Sequence, residues 1–253
     1  MGVLALSTDF GADSTYVAQM KGVVLSRLPD ARIIDVSHSL PAHNVRAAEI
    51  LLRSVAFAFP LGTVHVVVVD PGVGTQRKPI ALTVRGMTFV GPDNGVFGRL
   101  LSMDGAEAVW LDKEHVFQSP VAPTFHGRDI FAPVAAELAG GCGLEEVGSP
   151  VGETVASTLP EPDVDGAVSS GEVLSADRFG NLTTNIHCPH GARYRVSLEG
   201  RSQPLPWVST YGEVEPGTLV ALVGSDGFLE LARREMPADL AVGTRIIAER
   251  ISL

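Results

Sequence analysis

The stretch Val64-His65-Val66-Val67-Val68-Val69, followed directly by Asp70, is the clearest fold signal in the chain. Its apolar residues do not alternate with polar ones, which is typical of a strand buried on both faces at the centre of a sheet. Around it, short apolar runs alternate with longer segments of helical period, the pattern of strands joined by crossover helices. The first half is therefore predicted to be an α/β domain with a largely parallel sheet flanked by helices.

The same patterns predict the individual elements of this first half. Asn44 is a suitable cap for the second helix because its side-chain oxygen can accept a hydrogen bond from an unpaired backbone N–H. Helices are predicted at 16–28, 45–57 and about 130–138. Strands are predicted at 3–7, 32–36, 64–69, 80–84, 88–90 and 106–111.

The composition changes after Val147, where proline, glycine, serine and aspartate crowd a stretch without clear periodicity. Such a stretch favours an interdomain linker. Beyond it, apolar or alternating segments between turn residues predict a smaller antiparallel β-barrel-like domain or sandwich. We expect an α/β domain at 1–158, a linker at 159–168 and a β domain at 169–253. The β segments are expected at 171–175, 182–186, 194–198, 218–223 and 245–251.

The overall composition narrows the class of partner. The chain has 253 residues, of which 45% are hydrophobic, with a net charge of -10. This acidic balance disfavours nucleic acid and an anionic membrane surface, so a small molecule is the expected partner. Two distant cysteines, Cys142 and Cys188, argue against a disulfide framework. With no basic leader and no unbroken membrane-length apolar run, we expect a cytoplasmic protein.

Polar residues that follow predicted strands are the first candidates for a site, because ligands gather at the carboxyl ends of parallel strands. Asp9, Asp70 and Asn94 each follow such a strand, and His126 precedes the last helix of the domain. They would ring one crevice. Taken singly, each aspartate is as easily a turn former or a helix cap, and His126 or Arg77 is more often an ordinary polar residue. A catalytic role requires that these side chains lie close together in the folded protein.

Three other site types are disfavoured by the residues themselves. His187-Cys188-Pro189-His190 lacks a second ligand cluster, so we predict no metal. Asp70-Pro71-Gly72-Val73-Gly74 lacks the third glycine and the opening helix of a dinucleotide loop, so we predict no nicotinamide cofactor. Asp9 and Asp13 have no phosphate loop beside them, which leaves phosphoryl transfer a weak alternative. No cofactor is expected.

An ordered set of motifs then resembles one known family over nearly the whole chain, the S-adenosyl-L-methionine (SAM) hydroxide adenosyltransferases, which are related to the bacterial fluorinase and chlorinase. Each motif alone is modest, but their order is highly specific. The motifs are Thr8-Asp9-Phe10-Gly11 with 16–22, 69–74 with Arg77, Gly91-Pro92-Asp93-Asn94-Gly95, Thr124-Phe125-His126-Gly127-Arg128-Asp129, Asp177-Arg178-Phe179-Gly180-Asn181 with 182–185, and Ser225-Asp226-Gly227-Phe228 with 229–232.

The resemblance implies a homotrimer whose active sites lie between the first domain of one subunit and the second domain of its neighbour. Asp9 is expected to bind the ribose hydroxyls, because the two oxygens of a carboxylate can accept hydrogen bonds from two neighbouring hydroxyls. Contacts to adenine and to methionine are expected from Asp177, Asn181, Ser225, Glu230 and Arg233. The chain departs from the family at Asp13-Ser14, where the acid often comes one residue later, and at Asp226, where halogenases carry an arginine. Arg233 and Glu235 have no firm counterpart in the family.

Asp70, Arg77 and His126 match the set that separates the hydrolases of this family from its halogenases. The implied reaction is hydrolysis of SAM to adenosine and L-methionine, with Asp70 and His126 holding and deprotonating a water in line with the C5′–S bond. Arg77 would fix the carboxylate. The alternatives are a halide-dependent adenosyl transferase, whose halide Asp70 would repel, and a non-catalytic sensor of adenosine or SAM.

Overall fold

The computed structural model describes residues 2–251, so the predicted domain limits at 1 and 253 lie outside the described residues. The chain divides into two compact units at Thr158 and Leu159. No helix within 2–251 is long and apolar enough to cross a membrane.

The first unit is built on one seven-stranded sheet with the order β2-β1-β3-β5-β4-β6-β7. The four strands β2, β1, β3 and β5 are parallel, and the remaining pairings are antiparallel. The predicted α/β class is confirmed. The strands are β1 Val3–Thr8, β2 Arg32–Ser37, β3 Val64–Val68, β4 Pro79–Val84, β5 Met87–Pro92, β6 Glu107–Leu111 and β7 Gly148–Pro150.

The run that begins at Val64 is the centre of this sheet, as predicted. β3 is buried along its whole length and pairs with β1 and β5. Val66 and Val68 pack into one apolar cluster with Met20, whereas Val67 packs into another cluster with Phe89. Because successive side chains of a strand point to opposite faces, β3 supplies both halves of the core.

His65 is the one polar residue of β3, and it is buried. Its ring stacks on Phe89 with 5.0 Å between centroids and meets Phe59 edge-on. Burial lowers the pKa of His65 to about 4. The imidazole is therefore uncharged at neutral pH and packs as an aromatic ring, so the apolar run remains continuous.

Helices cover the sheet and begin close to their predicted positions. Asn44 caps α2, since its side chain accepts from the N–H of Ala47. Ser14 caps α1 in the same way, by accepting from the N–H of Tyr16. The helices are α1 Thr15–Arg27, α2 Val45–Val55, α3 Gly98–Leu101, α4 Ala132–Ala139 and α5 Leu144–Val147.

The predicted helix at 130–138 differs at its start, where a π-helical turn at Gly127–Phe131 leads into α4. Pro133 has no N–H, so it cannot bond the carbonyl four residues before it, which belongs to Asp129. That carbonyl accepts instead from the N–H of Gln118, at 2.8 Å. The bond ties the loop that carries His126 to the start of the helix.

The second unit is an antiparallel barrel-like sheet with the order β11-β14-β9-β10-β13-β12, and β8 pairs with β9. Bridges from Leu205 to β11 and from Trp207 to β12 connect the two ends of this order, so the sheet nearly closes. The predicted β-barrel-like class is confirmed. The strands are β8 Asp163–Asp165, β9 Val168–Ala176, β10 Leu182–His187, β11 Arg193–Leu198, β12 Leu219–Val223, β13 Phe228–Arg233 and β14 Arg245–Ile251.

The stretch after Val147, whose composition favours an interdomain linker, contains two short strands. β7 joins the first sheet, and β8, inside the predicted linker at 159–168, joins the second. Between them, Thr158 is held by the buried carboxylate of Glu49, which accepts from its N–H at 2.9 Å and from its hydroxyl at 2.7 Å. These contacts join residues far apart in sequence, so local composition does not reveal them.

Candidate active site

The carboxyl ends of β1, β3 and β5 meet at one edge of the first sheet. Asp9 directly follows β1, and Asp70 lies two residues beyond β3. Both line a cavity of about 340 Å³. The cavity walls are formed by Asp9, Phe10, Tyr16, Ala42, His43, Val68, Asp70, Val73, Thr124, Phe125, His126 and Gly127.

Asn94 lies at the same edge but has a different role from the one predicted. Its side-chain amide donates to the carbonyl of Val69 at 2.9 Å, and its oxygen accepts from the N–H of Val96. It is not among the residues that line the cavity. Asn94 therefore holds the backbone immediately before Asp70.

Arg77 contacts both Asp70 and His126 in the structure. Arg77 donates to both carboxylate oxygens of Asp70, at 3.0 Å from Nε and through Nη2 to Oδ2. The same Nη2 lies 3.1 Å from Nδ1 of His126. The side chains of Arg77 and Asp70 are only 7% and 5% exposed. Arg77 is thus a buried connector behind two cavity-lining groups, and not a solvated charge.

The loop that carries Arg77 packs tightly against the loop before His126. Gly74 has a φ of +74°, and a Cβ built there would lie 2.4 Å from the carbonyl oxygen of Pro123. Only glycine allows both this backbone conformation and this approach. The side chain of Arg77 also lies over the ring of Phe131, 5.5 Å from its centroid.

The surroundings of His126 favour its uncharged form. Burial, followed by the positive charge of Arg77, lowers its pKa, against an opposing effect of Asp70 and Asp129. An arginine only donates hydrogen bonds, so Nδ1 of His126 is the acceptor and Nε2 carries the proton. The ring can therefore donate from Nε2, while the lone pairs of Asp70 beyond those used by Arg77 can accept.

An aromatic wall completes this cavity, and it was not predicted as a site feature. Phe10, Tyr16 and Phe125 meet edge-on, with ring centroids between 4.9 and 5.9 Å apart. In the sequence, these residues stand out only as members of motifs. Their clustering depends on the fold, because β1, α1 and the His126 loop bring them together.

His43 was also missed. Its N–H donates to Oδ2 of Asp9 at 2.7 Å, and its φ of +63° lies in the left-handed region that side chains other than glycine rarely adopt. Nothing in the local sequence pattern predicts this conformation for a histidine.

The second unit carries its own cavity, of about 900 Å³. It brings together the five residues of this unit that were predicted to contact substrate, namely Asp177, Asn181, Ser225, Glu230 and Arg233. Asp177 accepts from the backbone N–H groups of Phe179 and Asn181, so its carboxylate shapes the turn that presents Asn181. Arg233 donates to the carbonyl of Ala238 at 3.2 Å.

Glu230 has a partner that sequence analysis missed. The hydroxyl of Tyr211 donates to its Oε1 at 2.6 Å, and Tyr211 lines the same cavity. Burial, together with the charges of Asp177 and Asp226, raises the pKa of Glu230, although the bond from Tyr211 acts in the opposite direction. Among residues 2–251, no group of three or more His, Cys, Asp or Glu side chains could hold a metal ion.

Comparisons with known proteins agree with this architecture. Family models described as SAM hydroxide adenosyltransferase N-terminal and C-terminal domains match residues 4–148 and 171–248. A protein of Thermus thermophilus named (R)-S-adenosyl-L-methionine hydrolase is 38% identical over 94% of both chains. One with the same name from Salinispora tropica is 38% identical over 90% of this chain and 89% of its own.

A fluorinase of Actinoplanes sp. is less similar, at 30% identity over 93% of this chain and 92% of its own. The crystal structure of an uncharacterised conserved protein from Thermotoga maritima superposes with a TM-score of 0.87 at 35% identity, covering 98% of this chain and 100% of that one. This chain therefore belongs to the SAM hydroxide adenosyltransferase family.

Proposed function

We propose that this protein hydrolyses SAM to adenosine and L-methionine. The observation that carries the proposal is that Arg77, behind the wall of the first cavity, contacts both Asp70 and His126, which line it. Asp70 can accept a hydrogen bond from a water molecule and His126 can donate one to it. The buried cation of Arg77 holds both side chains in place. Relatives that are 34–38% identical are named as hydrolases of the (R) form of this substrate.

The chemistry needs an oriented nucleophile more than an acid. The sulfonium of SAM is already a good leaving group, so the water oxygen attacks C5′ as the C5′–S bond breaks. The bonding electron pair passes to sulfur, which becomes the neutral thioether of methionine, and the water loses a proton. Attack of a hydroxide-like oxygen on a cation is favoured in a site of low dielectric constant.

The geometry favours Asp70 as the group that takes this proton. Nδ1 of His126 already accepts from Arg77, and its Nε2 carries a hydrogen. His126 therefore serves as the donor that orients the water, while Asp70 accepts from it. Arg77 orients both groups.

The binding roles are divided between the two cavities. We assign the ribose hydroxyls to Asp9, whose carboxylate lines the first cavity. We assign adenine and part of the methionine to the second cavity, through Asn181, Ser225, Glu230 and their neighbours Asp177 and Arg233. A halide-dependent transfer is less favoured because the buried carboxylate of Asp70 would repel a halide near C5′.

The proposal is tested by incubating an epimeric mixture of SAM with the protein in ¹⁸O-labelled water and a metal chelator. We expect labelled oxygen at the 5′ position of adenosine, and loss of the (R) epimer only, as the names of the relatives imply. Mass analysis and chiral chromatography measure the two results. Unlabelled adenosine would contradict the attack on C5′, and a lack of any product would favour the sensor alternative.

We further propose a homotrimer in which each site combines the first unit of one subunit with the second unit of its neighbour. Each unit carries only part of the residues assigned to the substrate, which supports this arrangement. We expect a trimer in light scattering.

Inactive Asp70→Asn and Asn181→Ala proteins, unfolded and refolded together in equal amounts, should recover activity in about one quarter of the sites, because those sites receive an intact half from each variant. No recovery would indicate a site within one subunit.

A further inference from the structure

A continuous line of hydrogen bonds lies behind Asp9 and has no part in the function proposed so far. Lys21 donates to Oδ2 of Asp35 at 2.6 Å, and Oδ1 of Asp35 lies 2.9 Å from Nε2 of His38. Nδ1 of His38 lies 3.0 Å from the hydroxyl of Thr8, the residue immediately before Asp9. The line connects α1, the edge strand β2 and the end of β1.

One arrangement of protons gives each hydrogen bond of this line a donor and an acceptor. The carboxylate of Asp35 only accepts, so Nε2 of His38 donates to it. Nδ1 of His38 then accepts from the hydroxyl of Thr8, whose oxygen in turn accepts from the N–H of Phe10 at 3.2 Å. Donation thus runs from the N–H of Phe10 through Thr8 and His38 to Asp35, and the line begins at the two residues on either side of Asp9.

His38 also contacts the backbone that follows Asp9. Its carbonyl oxygen accepts from the N–H of Gly11 at 2.8 Å, and Gly11 has a φ of +90°, which suits glycine. Thr8, directly before Asp9, and Gly11, two residues after it, are therefore both hydrogen-bonded to His38. Thr8 is fully buried and His38 is 9% exposed, so water competes little for these bonds.

We infer that His38 is a positioning residue that acts through Thr8 to hold the carboxylate of Asp9 in the geometry needed for the ribose hydroxyls. The inference rests on the proposed function, because it assigns the ribose to Asp9. A bidentate contact tolerates only a small displacement of the carboxylate, so a residue that fixes the turn controls nucleoside affinity without touching the ligand.

A purely structural role for this line has a different consequence. The bonds also attach β2, an edge strand, to the rest of the sheet. If that were their whole purpose, breaking them would lower thermal stability and weaken all nucleosides alike. A selective loss of affinity for nucleosides with ribose hydroxyls distinguishes positioning from stabilisation.

The experiment compares adenosine with 2′,3′-dideoxyadenosine by calorimetry on the full-length protein and on Thr8→Val, which keeps the shape of the side chain but removes the hydroxyl. We expect adenosine to bind the variant about tenfold more weakly, and dideoxyadenosine to bind within about twofold of its parent affinity. Thr8→Ser restores the hydroxyl and is expected to bind both nucleosides like the parent. In an Asp9→Asn background, Thr8→Val should change adenosine affinity less than about twofold, because the group it positions is already altered.

Equal weakening of both nucleosides, or no weakening of adenosine, would overturn the inference. Should Thr8→Val not fold, His38→Phe keeps a ring in the same space and is judged by the same two affinities. A parent protein that does not distinguish the two nucleosides would also overturn it. The proposed hydrolysis is judged separately, by formation of adenosine from SAM in the parent, so the two failures are distinguishable.

Discussion

Replacement of Asp70 by Asn is expected to lower the single-turnover rate of SAM hydrolysis by about a hundredfold or more, while SAM affinity changes less than about threefold. Asparagine keeps the size of the side chain but cannot take a proton from water. Asp70 lines the first cavity, whereas the residues assigned to adenine line the second. The substitution should therefore lower the rate of hydrolysis with little change in the affinity for SAM.

The matched control for this variant is Asp9→Asn, which also replaces a cavity-lining carboxylate by an amide. We expect it to weaken both SAM and adenosine, because the ribose contact is common to substrate and product. Calorimetric affinities beside single-turnover rates measure both effects. An Asp70→Asn protein that binds tenfold more weakly and still reacts at the parent rate would make Asp70 a ligand-holding residue and not the base.

The strand ends of the first sheet were predictable because the pattern that identifies them is local. The run from Val64 marks a central strand, and the parallel arrangement then brings Asp9 and Asp70 to the same edge. By contrast, Asn94 obeys the same rule but bonds the backbone, so a position at a strand end does not by itself make a ligand contact.

Contacts between distant segments explain what the local sequence did not reveal. His43 enters the first cavity through a left-handed backbone conformation, and Tyr211 reaches Glu230 across 19 residues. Arg77 was assigned through the resemblance, since a charged residue on a turn is usually solvated. Its burial accompanies its ion pair with Asp70 and its packing over the ring of Phe131, which only the fold brings to it.

The missed strand β13 has a similar origin. Its residues, Phe228-Leu229-Glu230-Leu231-Ala232-Arg233, include several good helix formers. Pairing with β10 on one side and β12 on the other makes it a strand. This pairing also places Glu230 in the wall of the second cavity. The same tertiary contacts therefore override the local helix preference and build the site.

Replacement of Arg77 by Leu is expected to destabilise the protein by about 3–5 kcal/mol and to abolish measurable turnover. The change leaves the carboxylate of Asp70, which is 5% exposed, without its bidentate partner, and removes the donor from Nδ1 of His126. Urea unfolding measures the loss of stability, and single-turnover kinetics measure the loss of activity.

Two further variants separate the charge of Arg77 from its shape. Arg77→Lys keeps the charge but cannot reach two carboxylate oxygens and His126 together, so we expect most of the stability to return while turnover stays at least about tenfold below the parent. In the double variant Asp70→Asn with Arg77→Leu, the unpaired buried charge is gone, so stability should exceed that of Arg77→Leu alone while activity remains absent. A double variant no more stable than Arg77→Leu would mean that Arg77 stabilises the loop through its packing on Phe131 and its fixed geometry, and the electrostatic account of the pair would be wrong.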